Sequence, residues 1–134
     1  MDQVIVHVET EIYPTESEDK VKSAVVSIFG GVSIVVEPEG KVRLLTAEAS
    51  GQDSLAKFRM ILHSDRIRDA ARRVLRNSIR GSIIDFCLNK QVASAGHISF
   101  CEETAESPLG PIRVTITADN PQLLVEWLAE KSER

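Results

Sequence analysis

A chain of 134 residues, 43% hydrophobic and 27% charged, has the size and composition of one soluble globular domain, 1–134. Four Phe, one Tyr and one Trp are too few for a platform that stacks single-stranded bases, and two cysteines are too few for a disulfide framework. The formal net charge of −4 argues at first against a nucleic-acid partner, but it conceals a strong segregation along the chain.

The first residues carry an early acid and no basic stretch ahead of an apolar core, and no apolar run approaches the ~20 residues of a membrane span. A cytoplasmic location without membrane contact is expected. Residues 3–12 alternate, with Val4, Val6 and Val8 on one side and Ile5, His7, Glu9 and Glu11 on the other, which predicts a half-buried strand. Pro14 breaks the alternation, and Thr15 with Glu18 has the spacing of a capping box. Val21, Ala24, Val25 and Ile28 then recur at helical spacing up to a stop at Gly30-Gly31. Residues 32–37 and 41–49 flank Pro38-Glu39-Gly40, the signal of a hairpin.

Ser50 to Asp53 opens a second helix with Leu55, Phe58 and Leu62 on one side, and Ser64 is an expected N-cap for a third over about 65–79. Residues 82–88 read as a more buried strand, and 89–96 as a helical turn or wide loop. Residues 97–101 and 112–118 read as strands on either side of the turn-rich ESPLGP at 106–111. Asn120-Pro121 starts a last helix whose apolar side is Leu123, Leu124, Trp127 and Leu128. The order β-α-β-β-α-α-β-β-β-α predicts an α+β fold: a mainly antiparallel sheet of about five to six strands with helices packed on one face.

Residues 1–40 sum to −6, residues 41–100 to +6 and residues 101–134 to −4. The centre of the basic segment is DRIRDAARRVLRNSIR at 65–80, with Arg66, Arg68, Arg72, Arg73, Arg76 and Arg80. On a helical wheel Ile67, Ala70, Ala71, Val74, Leu75 and Ser78 gather on one side and the arginines fan over the other. Arginine presents a planar fork of donors that matches phosphate oxygens, so these six residues with Lys90 form the candidate nucleic-acid-binding set. The competing reading is a solvated or internally paired face: Asp69 stands three and four residues before Arg72 and Arg73, and the acidic ends can fold back onto the ridge.

His97, Cys101 and Cys87 offer soft donors without the spacing of a metal site, and core thiols beside a surface histidine explain them better. Cys87, between Phe86 and Leu88, reads as a buried inert thiol rather than a nucleophile. Asn89-Lys90-Gln91 reads as a strand exit more than a ligand loop. No nucleophile–base set, metal set or phosphate-cradling glycine loop occurs, so no catalytic residue, cofactor or small-molecule substrate is expected.

The segment FCLNKQVASAGHISFCEE followed by SPLGPIRVTI resembles the signature of a small archaeal protein family of unassigned function. Pro14-Thr15-Glu16, Lys20-Val21, the Ile67–Arg72 string IRDAAR and Glu126-Trp127-Leu128 extend the likeness over roughly residues 4–130. The resemblance implies a fold similar to the ribosomal protein that holds 5S RNA, and a predicted RNA-binding or exosome-associated role with no catalytic residues. The expectation is therefore a non-enzymatic RNA-binding module that grips phosphates through the arginine helix. The alternative is an assembly protein, a homodimer or complex subunit, whose basic helix meets acidic surfaces and binds no nucleic acid.

Overall fold

The computed structural model describes residues 3–101 and 110–130. The expected alternation at the start forms β1 (Val4–Ile12), with Val4, Val6, Val8, Thr10 and Ile12 buried in turn. Helix α1 (Glu18–Ile28) buries Val21, Ala24, Val25 and Ile28 as the spacing predicts. Its N-cap is Ser17, whose hydroxyl accepts from the Lys20 amide, so the capping box expected of Thr15 and Glu18 is displaced. The reason is Glu16: its carboxylate accepts from the Tyr13 amide at 2.9 Å and ties the approach to the helix into a turn.

Strands β2 (Ser33–Glu39) and β3 (Val42–Ser50) form the expected hairpin, with Pro38 inside β2. Proline is tolerated there because β2 is the outermost strand of its side. A 3-10 turn, Gln52–Leu55, leads into α2 (Ala56–Ser64), and α3 (Arg68–Asn77) follows. Ser64 ends α2 rather than capping α3. Arg66 N–H bonds the His63 carbonyl and Ile67 N–H bonds the Leu62 carbonyl, both at 3.1 Å, the pairing of a Schellman C-cap. Arg66 occupies the left-handed position of that cap at φ 59°, where glycine is the usual residue.

Beyond α3 come the two-residue β4 (Ile79–Arg80), which the sequence pattern had not marked, β5 (Ile83–Leu88) and α4 (Lys90–Ser94). Of the expected strand 97–101 only β6 (Phe100–Cys101) is paired, and four residues of the turn-rich 106–111 lie outside the described residues. The chain closes with β7 (Ile112–Ala118) and α5 (Pro121–Leu128), whose Asn120 cap accepts from the Leu123 amide.

The sheet is antiparallel at every pairing, in the order β2-β3-β1-β7-β5-β4, with β6 added to β5 beside β4. One face is apolar: Val6, Val8, Leu45, Ala47, Ile84, Phe86, Val114 and Ile116 pack under the helices. All four phenylalanines line up through this layer, with Phe58 stacked on Phe29 at 5.7 Å and 5.8 Å from Phe86, which meets Phe100 edge-on. The other face carries Ile5, His7, Glu9, Thr115, Thr117, Asp85 and Cys87 at the intervening positions. Its acids outnumber its bases, so the cationic character of the molecule must lie on the helical side and at the β4 edge.

Candidate nucleic-acid interface

Helix α3 buries Ala71 and Leu75 against the core, and its arginines divide into two groups according to what α5 offers them. Arg68, Arg72 and Arg76 recur every four residues and run along the seam with α5. Arg72 donates to the Ala129 carbonyl at 3.1 Å and to Asp69 at 3.3 Å, which leaves its side chain 14% exposed. Arg76 meets Glu126 at 2.7 Å, and Arg68 approaches Glu130 at 3.9 Å. Glu126 lies on α5 and Glu130 two residues beyond its end, so part of the ridge is internally paired as the competing reading expects.

The second group is Arg66, Arg73 and Arg80. All three are exposed, and no hydrogen bond or ion pair engages them among the described residues. Arg66 stands at the α2–α3 corner, Arg73 on the outward side of α3, and Arg80 opposite Ile83 at the sheet edge. Arg76 joins them in practice. Its side chain is 60% exposed, and an exposed pair such as Arg76–Glu126 contributes only ~0–1 kcal/mol. An open groove of about 740 Å³ between α3 and α5 is lined by Arg76, Ile79, Asn120, Gln122, Leu123 and Glu126. A second concavity of about 370 Å³ continues along Asp69, Arg72, Arg73, Arg76 and Asn77. Fixed guanidinium forks beside amide side chains are the groups that contact phosphate and sugar oxygens.

Lys90 must be removed from the candidate set. It is 3% exposed, and its ammonium donates to the Glu11 carbonyl at 2.7 Å and to the Glu16 carboxylate at 3.1 Å, 5.6 Å from the Tyr13 ring centre. Burial pushes its pKa down, and the hydrogen bond and charge of Glu16 oppose that. The segment Asn89-Lys90-Gln91 is neither a plain strand exit nor a ligand loop: Asn89 caps α4 and Lys90 fastens it to the end of β1.

Two groups outside the candidate set stand beside the seam. Arg59 on α2 donates to the Trp127 carbonyl at 2.8 Å and lies 5.2 Å over the Trp127 ring. His63, one turn along α2, has a buried Nε2 with no hydrogen-bond partner among the described residues. Burial, then the charges of Arg68 and Arg59, hold its pKa below the ordinary value, with Glu130 pulling the other way. The spacing of four that puts Arg59 and His63 on one side of α2 was the available signal.

Cys87 is half-buried on the open face rather than in the core, directly opposite Cys101 in the β5–β6 register. His97 precedes β6 and bonds Asp65 at 2.9 Å. Among the described residues no group of three or more His, Cys, Asp or Glu side chains could hold a metal ion, and no helix is long and apolar enough to cross a membrane.

Residues 5–118 match a family model described as RNA binding. A UPF0201 protein of Metallosphaera sedula is 46% identical over 127 residues, 95% of this chain and 88% of that protein. A UPF0201 protein of Sulfurisphaera tokodaii is 42% identical over the same shares. The crystal structure of a UPF0201 protein from Methanococcus jannaschii superposes with a TM-score of 0.85 at 28% identity, covering 96% of this chain and 95% of that one.

Proposed function

The chain belongs to the UPF0201 family and itself matches an RNA-binding model, and from this premise we propose that it binds RNA without catalysing a reaction, by gripping backbone phosphates. The observation that carries the reading is Arg66. A non-glycine residue in the left-handed region costs about 1 kcal/mol, and here that cost falls on an exposed arginine with no partner among the described residues. The Schellman hydrogen bonds to His63 and Leu62 hold the backbone there whichever residue occupies it; that arginine rather than glycine takes the position fits a role for its side chain at a ligand. Arg66, Arg73, Arg76 and Arg80 then present donors along one side of α3 and its two ends, with Asn120 and Gln122 reaching sugar or base edges. Contacts of this kind are mostly blind to sequence and suit structured RNA, which is recognised by shape.

Fluorescence anisotropy with a labelled RNA hairpin over a salt series tests it. Three to four phosphate contacts predict a log–log slope of about −3. Combined Arg73→Glu, Arg76→Glu and Arg80→Glu substitutions are expected to weaken binding at least tenfold and to flatten the slope. Unchanged affinity in that variant overturns the proposal.

A second reading, assembly, is favoured by one observation: Ile5 and Ile83 flank Thr117 on the open sheet face and are 44% and 37% exposed. Light scattering over the same salt series separates the two. An oligomer that survives in high salt, with no RNA bound at low salt, supports assembly.

A further inference from the structure

The junction of α2, α3 and α5 holds a cluster that the arginine ridge does not explain. One oxygen of Glu130 lies 3.7 Å from a guanidinium nitrogen of Arg59 and 3.9 Å from one of Arg68. Both distances exceed a hydrogen bond, so this carboxylate neutralises two cations without satisfying either. Glu130 is itself half exposed, the condition under which an ion pair contributes little. Of the two cations Arg59 is held in place independently of Glu130, whereas Arg68 has only the 3.9 Å approach to that carboxylate among the described residues. Arg59 is fixed by the Trp127 carbonyl and ring, and the neighbouring Arg72 by the Ala129 carbonyl. His63, one turn along α2 from Arg59, keeps a buried ring nitrogen with no hydrogen-bond partner among the described residues.

We propose that Arg59, His63 and Arg68 form a phosphate-binding site whose seat is filled in the free protein by the Glu130 carboxylate, and that an RNA phosphodiester displaces it. The inference rests on the RNA-binding reading and adds a subsite to it. The chemistry favours exchange. A phosphodiester offers one non-bridging oxygen to each guanidinium, and a further lone pair of one of them to the His63 ring nitrogen, whereas Glu130 offers a single distant oxygen to both arginines. Arg59 and Arg68 are the cations facing His63 from α2 and α3, and Glu130 is the anion facing it from the end of α5. Exchanging that carboxylate for a phosphate keeps a negative charge there and gives the ring nitrogen an acceptor. Free orthophosphate shares this chemistry, so both sources belong in the experiment.

The test is the His63 ring resonances by NMR in the wild-type chain and in Glu130→Gln, titrated first with inorganic phosphate and then with an RNA hairpin. Glu48→Gln, on the open sheet face, is the control with the same change in net charge. Phosphate is expected to shift the His63 resonances in Glu130→Gln at about three- to fivefold lower concentration than in wild type or the control. RNA should move the same resonances, and the salt slope of RNA binding should steepen by about one in Glu130→Gln alone. His63 resonances unmoved by phosphate and RNA in Glu130→Gln overturn the site. If RNA affinity still falls in the Arg73, Arg76 and Arg80 variant, the RNA-binding reading survives that failure. A response to phosphate with none to RNA overturns the assignment of the ligand as RNA.

Discussion

The Lys90–Glu16 pair separates a structural cation from a ligand-binding one, and removing Glu16 shows by how much. Lys90 is 3% exposed and Glu16 9%, so the ammonium cannot regain water without opening the joint between β1 and α4. In Glu16→Ala it keeps the Glu11 carbonyl at 2.7 Å and loses both carboxylate contacts, at 3.1 and 3.2 Å. Breaking a buried pair by deleting one partner costs about 3–5 kcal/mol, because the remaining charge stays desolvated. The Tyr13 amide also loses its acceptor, worth about 1 kcal/mol at a half-buried position. A total near 5 kcal/mol is expected, which for a chain of this size lowers Tm by about 18 °C. Urea denaturation at pH 7 followed by Trp127 fluorescence measures it. The same joint predicts that Lys90→Met is destabilised, yet binds RNA as wild type does at a temperature where it is folded. A Glu16→Ala loss below about 1 kcal/mol, or a Lys90→Met protein with weakened RNA binding, would refute the assignment of Lys90 to the interior.

Three further outcomes follow from the same geometry. Arg66→Gly relieves the left-handed strain and should raise stability by about 0.5–1 kcal/mol in urea denaturation while weakening RNA binding; a gain in both would remove Arg66 from the interface. Phe58→Ala opens a hole between Phe29 and Phe86 and should cost about 3–5 kcal/mol, read from the midpoint of chemical unfolding; a loss under 1 kcal/mol would mean the stack is not tightly packed. His63 has its pKa lowered on folding, so as pH falls the unfolded chain takes up this proton first. Its contribution is complete above the unfolded value of ~6.5 and is lost as pH falls below it. His63→Gln should flatten the decline in stability between about pH 7 and 5, and parallel curves for the two proteins would contradict the shift.

The local pattern was sufficient for most elements because one period or one cap decides each of them. Alternation determined β1 and β7 nearly to the residue, and helical spacing determined the buried side of α1. β4 and β6 escaped that reading, since a two-residue strand has no period and exists only because β5 offers it an edge. Capping was legible at Asn120, where a proline follows, but not at Ser17, where a tertiary neighbour of the turn competes.

Charge behaved differently from periodicity. The sequence by itself determined that six arginines share one helical segment and that acids lie before and after it. Whether an arginine faces water or a carboxylate depends on where α5 lands, and α5 is placed by Leu124, Val125 and Leu128 entering the core, not by its charges. That docking sets Glu126 and Glu130 along the seam, ties Arg72 to the end of the helix and leaves Arg66, Arg73 and Arg80 unpaired among the described residues. Lys90 reads from sequence as one more surface cation, yet it became a buried fastener because β1 and α1 meet over it from 74 residues away. Hydrophobic burial fixes the backbone first, and only then does each charged side chain find a partner or water.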